Sequence, residues 1–198
     1  GKPYLVSEPG IHFSLSHSGD WAVCAISDHP VGVDIEWCDP NRRDIASRFF
    51  HKDEIRYLNS LPPYARTDAF YSLWTLKESF VKSTGRGLDL PLRSFCVKLR
   101  SNTRPQLDCP DMERPYSLFL PPFSADRSYR LAVCIQQAIV ASISTFAVTL
   151  SREISTTARL TAFTADSGPL MLSVLVSISI LPVAISIRKC PVFGNLYA

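Results

Sequence analysis

Residues 71–88, YSLWTLKESFVKSTGRGL, constrain this chain more than any other stretch, because they begin as a core helix and end as something else. Trp74, Glu78 and Lys82 recur every four residues, so on a helix their Cβ atoms stack along one face about 5–6 Å apart. A carboxylate therefore sits between an aromatic ring and a cation. Lys77 stands beside Glu78, about 100° around the axis. Gly85 and Gly87 close the element where the chain needs positive φ or the close approach of a ligand. An acid flanked by two lysines makes a poor core face and a good place to hold a metal and phosphates. Upstream, Thr67 can N-cap a helix over residues 68–84, with Phe70, Leu73, Trp74, Phe80 and Val81 as its core face.

Before that helix, residues 10–35 read as three short strands: 12–15, the alternating 21–27 and 31–35. Turn signals at Ser18-Gly19-Asp20 and Asp28-His29-Pro30 separate them. The expected fold class is α+β, an antiparallel β-meander packed on a long helix. In the third strand, GVDIE, the period of two puts Asp34 and Glu36 on one face and Val33 and Ile35 on the other, toward the core. Two carboxylates side by side repel unless a cation lies between them; without one they are the polar face of an amphipathic strand. Asp44 can cap a helix through Ile45, Ala46, Phe49 and Phe50, and a second helix over 53–61 stops at Pro62-Pro63. Strands at 94–99, 116–120 and 129–135 follow, with a polar, proline-containing connection over 101–115.

A length of 198 residues suffices for one domain, or two small ones, with a buried core. A net charge of +3, with basic residues scattered, argues against a nucleic-acid partner, so an anionic ligand must be held by a local site. The six cysteines, Cys24, Cys38, Cys96, Cys109, Cys134 and Cys190, form no CxxC pair. That disfavours zinc and fits free thiols in a reducing compartment. There is no P-loop, no GxGxxG and no GxSxG elbow. Up to residue 135 the chain carries 17 Lys plus Arg and 16 Asp plus Glu; the last 63 residues carry 4 and 2. The boundary falls there: a domain over 1–135 and an atypical tail over 136–198, expected to be poorly ordered or aberrant, as a shifted reading frame would produce. Residues 167–187 are uncharged and near bilayer-spanning length, but Pro169, Pro182 and several serines interrupt them, so no membrane span is expected.

Asp34, Glu36 and Glu78, with Lys77 and Lys82, suit a hard divalent cation and a pyrophosphate. Magnesium takes oxygen ligands and usually completes its shell with water and substrate phosphates. The lysines meet the phosphate charge the metal leaves, an arrangement for phosphoryl transfer. Asp34 and Glu36 alone would also suit a metal-dependent nuclease, which the near-neutral charge disfavours. Residues 14–19 present hydroxyls and the imidazole of His17 at a turn, where a histidine is more often a surface residue than a ligand.

Three blocks, FSLSHSG (13–19), GVDIE (32–36) and WTLKESFVKSTGRGL (74–88), resemble in order and spacing the signature blocks of the 4′-phosphopantetheinyl transferases of the surfactin-type (Sfp-like) class. Gly1-Lys2-Pro3-Tyr4 resembles the segment before the first block, and the similarity covers residues 1–135. The resemblance implies an enzyme that moves the phosphopantetheine arm of coenzyme A onto a serine of an acyl or peptidyl carrier protein, as a holo-acyl-carrier-protein synthase does, releasing 3′,5′-ADP. It implies Mg2+ held by Asp34, Glu36 and Glu78. His17 and Lys82 would contact coenzyme A phosphates, and Ser16, Lys77 and Lys2 would be further phosphate or ribose contacts. Glu78, or a metal-bound water beside it, would be the base, with Lys82 its catalytic partner. Phe49 and Phe50 would meet the carrier, and Trp74 would anchor the helix in the core. The expectation is a monomeric, cytoplasmic enzyme of antibiotic or nonribosomal peptide synthesis. Members of this class have two similar halves around a coenzyme A cleft, and this chain opens where the second half does. The alternative expectation is therefore an inactive fragment lacking the N-terminal half of the cleft.

Overall fold

A computed structural model describes residues 2, 4–5, 9–39, 45–100, 103–110, 112, 114–124 and 126–137, and the backbone of strands at 149–151, 173–178 and 183–189. In chain order the elements are β1 (His12–Ser18), β2 (Trp21–Ser27), β3 (Val31–Trp37), α1 (Ala46–Phe49), α2 (Lys52–Ser60) and α3 (Pro63–Thr84). Two 3₁₀ turns, Gly87–Asp89 and Leu92–Ser94, lead to β4 (Cys96–Lys98), β5 (Gln106–Asp108), β6 (Tyr116–Phe119) and β7 (Tyr129–Gln136). The remaining strands are β8 (Thr149–Ser151), β9 (Ser173–Ile178) and β10 (Val183–Lys189).

The expected α+β architecture is present, with α3 lying across β3 and β7. Strand alternation decides what each face carries. Val31, Val33 and Ile35 of β3 join Leu131, Val133 and Ile135 of β7 in one core cluster. Ala132 and Cys134, on the other face of β7, join Leu73, Leu76 and Phe80 of α3 in a second. Gly32 and Asp34 alternate with the β3 core residues and so turn toward the helix.

One pairing departs from the expected meander. β1 and β2 form an antiparallel hairpin, but β3 pairs antiparallel with β7, Val33 opposite Val133, in the order β3-β7-β6. The physical reason lies on the other edge of β3, where the N–H groups of Val33, Ile35 and Trp37 go to serine hydroxyls of β1 instead of to a backbone ladder. β5 arises inside the stretch expected to be a connection, paired with β4.

The long helix also starts earlier than expected. Pro63 occupies its first turn, where a missing N–H leaves no bond unmade, so Thr67 lies inside the helix and is not its cap. Its end is as anticipated: Gly85 adopts φ 71° and donates its N–H to the carbonyl of Val81. Helix α2 is fixed by a reciprocal cap in which His51 accepts from the Asp53 N–H and Glu54 accepts from the His51 N–H. Asp44 lies outside the described residues, and α1 begins after Ile45.

Gly32 is where β3 and α3 cross. A Cβ there would lie 1.9 Å from the carbonyl oxygen of Ser79 and 2.5 Å from the amide nitrogen of Ser83, both backbone atoms. Gly32→Ala is accordingly expected to lower stability by about 1–3 kcal/mol, the usual range for overpacking. An unchanged urea midpoint would show that the crossing yields without strain.

β10 pairs with the outer edge of β2, Val183 opposite Ser27, and β9 and β8 follow it, so these three strands extend the hairpin sheet. Parts of the uncharged 167–187 stretch are thus strands. No helix among the described residues is long and apolar enough to cross a membrane. The other residues of 138–198 lie outside the described ones.

Candidate active site

The helix-facing side of β3 and the Trp74–Glu78–Lys82 face of α3 form the site. Asp34 is 4% exposed. Its Oδ1 accepts from Lys82 Nζ at 2.7 Å and from Ser16 Oγ at 2.8 Å. Its Oδ2 is buried with no hydrogen-bond partner among the described residues. Burial pushes the Asp34 carboxyl above the ordinary carboxylate range, against the pull of Lys82 and Ser16. Glu78 is raised as well, first by burial and then by the charge of Asp34, with Lys82 opposing. Glu36, further along β3, is half-buried and accepts from Ser18 Oγ at 3.3 Å. Lys82 keeps 30% of its side chain exposed and also donates to Ser16 Oγ at 3.0 Å.

These residues fit a hard divalent cation. The donors are all carboxylate oxygens, one of them a buried oxygen without a partner, and two of the carboxylates repel one another. The three carboxylates are not drawn into one tight cluster. Among the described residues, the donor atoms within 4.8 Å of one another belong to His51, Asp53 and Cys96. There the His51 imidazole caps α2, and burial pushes the Cys96 thiol up to about 11, so the group is a helix cap beside a core thiol.

The raised Glu78 carboxyl has a consequence for stability. The folded chain holds that proton more tightly than the unfolded chain does, so its contribution is largest below the ordinary value of 4.5 and is lost as pH rises through the folded value. The urea midpoint of the wild type should therefore fall relative to that of Glu78→Gln as pH rises from about 4 toward neutrality. A pH-independent difference would refute the assignment of burial to Glu78.

Lys77 does not join the site. It is fully buried, its Nζ donating to Glu54 Oε1 at 2.6 Å and to the Phe95 carbonyl at 2.8 Å, 4.1 Å from the centre of the Phe95 ring. A step of about 100° around the helix turned it from the groove into the core, so the expected phosphate contact is corrected to a structural one. Burial lowers its pKa, and Glu54 opposes the shift. Lys2 donates to the Val31 carbonyl at 2.7 Å and the Ser83 carbonyl at 3.4 Å, a cation at the C-terminal end of α3 where the helix dipole favours it. Burial lowers its pKa. His17 is exposed, on the face of β1 opposite Ser16.

Trp74 is not the buried anchor expected of it. Half-buried, it stands among Phe49, Phe50 and Phe70 with ring centroids 5.8, 6.1 and 5.9 Å away. With Glu78 and Lys82 it lines a groove of about 1110 Å³ that continues to Arg48, Arg86 and Arg93. Arg48 and Arg93 were missed from sequence because they come from separate segments that only the fold brings together; Arg86, four residues past Lys82 in the 71–88 stretch itself, was open to view and passed over.

The family model described as the 4′-phosphopantetheinyl transferase superfamily matches residues 30–134. A 4′-phosphopantetheinyl transferase of Bacillus subtilis is 46% identical over 134 residues, which is 68% of this chain and 59% of that protein. The 4′-phosphopantetheinyl transferase Sfp of Bacillus subtilis strain 168 is 42% identical over 134 residues, again 68% and 59%. The psf-1 transferase of Bacillus pumilus is 42% identical over 137 residues, 69% and 58%. The chain thus spans less than two thirds of the length of these relatives. Among solved structures, the Thermotoga maritima holo-acyl-carrier-protein synthase is similar with a TM-score of 0.47 and 18% identity, over 64% of this chain and 70% of that one.

Proposed function

Because the chain belongs to the 4′-phosphopantetheinyl transferase superfamily, we propose that it transfers the phosphopantetheine arm of coenzyme A to a serine of an acyl or peptidyl carrier protein. The observation that carries this is that Asp34, Glu78 and Lys82 lie together, with one buried Asp34 oxygen that no described residue hydrogen-bonds. Asp34, Glu36 and Glu78 would hold Mg2+, which supplies charge neutralisation on the phosphates. In the transfer, the carrier serine oxygen bonds to the phosphorus that bears the pantetheine arm, and the bond from that phosphorus to 3′,5′-ADP breaks. Glu78, in the groove beside Asp34 and Lys82, takes the serine proton. Lys82, at the mouth of the groove, meets phosphate oxygens, with the exposed His17 and the half-buried Lys2 as further contacts. Phe49, half-buried beside Trp74, offers the carrier an apolar landing; Phe50, expected to share that role, is 3% exposed and belongs to the core.

Incubation with coenzyme A, Mg2+ and an apo carrier protein, followed by weighing the carrier, tests this. The carrier should gain one phosphopantetheine. No gain, from this chain joined to the part of a full-length relative that it does not match, would refute it. The coverage of 59% of a relative favours a second reading, a fragment that is inactive alone. Magnesium-dependent binding of coenzyme A by calorimetry on the 198-residue chain would count against that.

A further inference from the structure

No backbone ladder joins β1 to β3. Three serines at alternate positions of β1 close that seam with their side chains. Ser14 Oγ accepts the Val33 N–H at 3.1 Å, Ser16 Oγ that of Ile35 at 3.3 Å, and Ser18 Oγ that of Trp37 at 2.9 Å. Each pair is 19 residues apart, and a constant offset means that the strands run parallel.

A hydroxyl that accepts one hydrogen bond still has its own proton to donate. Ser16 gives it to Asp34 Oδ1 at 2.8 Å, and Ser18 gives it to Glu36 Oε2 at 3.3 Å. In both cases the acceptor is the carboxylate of the residue just before the N–H that the same hydroxyl holds. The equivalent residue beside Ser14 is Gly32, which has no side chain. Closing the seam requires only that the hydroxyls accept; their donation to the two carboxylates is additional, and it ties each carboxylate to the frame of β3 by one oxygen. At Asp34 the other oxygen is the buried one without a partner.

We propose that Ser16 and Ser18 are positioning residues, which aim Asp34 and Glu36 at the divalent cation by holding one oxygen of each. This rests on reading those carboxylates as the metal site. It gives Ser16 a role that acts through Asp34, beside the substrate contact expected of it. Ser14 closes the seam with no carboxylate beside it to hold.

The test uses Mn2+ as probe, its free concentration followed by electron paramagnetic resonance with the 198-residue chain, and urea midpoints measured on the same preparations. Ser18→Ala should weaken Mn2+ binding about tenfold, the lower end of what loss of an outer-shell partner does. Ser18→Thr keeps the hydroxyl and should restore the affinity. Ser14→Ala should lower the urea midpoint and leave Mn2+ binding as it was. Ser16→Ala should also weaken Mn2+; if that buried variant fails to fold, the Ser18 pair decides, because Ser18 is at the half-exposed end of β1. Unchanged Mn2+ affinity in Ser18→Ala overturns the proposal, as does an equal loss in Ser14→Ala. Absence of Mn2+ uptake by the wild type would instead bring down the metal-site reading, and the positioning role with it.

Discussion

Lys77→Ala is expected to lower stability by about 3–5 kcal/mol, the usual result of stranding one partner of a buried ion pair. Glu54 is 1% exposed, and Lys77 is the cation on its Oε1. The remaining donors to that carboxylate are the Val97 N–H at 2.7 Å and the His51 N–H at 2.8 Å. One buried carboxylate therefore ties the start of α2, the middle of α3 and β4. Without Lys77 its charge stays in the core with two amide donors. The double variant Lys77→Met with Glu54→Gln should recover part of the loss, since apolar replacement of a buried pair is cheaper than breaking it. Urea denaturation of the three proteins checks both statements. A loss below about 1 kcal/mol in the single variant, the size of an exposed ion pair, would show that the cluster does not hold these elements together.

Glu78→Ala is expected to reverse that pattern: transfer lost, fold kept. Removing a positioned proton acceptor lowers rates by about 10²–10⁴, and loss of a metal ligand deepens the effect. Stability should hold or rise near neutral pH, because burial and the neighbouring Asp34 both disfavour the Glu78 charge. The measurement is single-turnover modification of an apo carrier beside a urea titration. Full transfer by Glu78→Ala would break the proposed site at its centre.

Much of the fold was legible because its signals are local. Alternation marked β2 and β3, short apolar runs marked the start of β1 and most of β7, and Gly85 marked the end of α3. Partners distant in sequence were not. β3 finds β7 about a hundred residues later, and Lys77 finds Glu54, 23 residues earlier, across a helix face that sequence spacing cannot orient. Spacing by four correctly placed Trp74, Glu78 and Lys82 on one face. It could not say that this face borders a groove, so Trp74 was assigned to the core. One signal was open to view and went unused. Ser14, Ser16 and Ser18 alternate through β1 as Asp34 and Glu36 alternate on β3, two polar faces at one period.

Gly32 limits how such a site can drift over generations. Where two elements rest on side chains, their separation can be retuned by exchanging one residue for another slightly larger or smaller. At this crossing no smaller residue exists. The next larger one would bring its Cβ to 1.9 Å from a backbone oxygen, where real Cβ atoms keep at least 3.0 Å. The distance between the strand bearing Asp34 and the helix bearing Glu78 and Lys82 therefore has no graded neighbours in sequence space at this position. Adjustment of the site's reach is left to the length of the acids themselves, the short Asp34 beside the helix and the longer Glu36 toward the end of the strand.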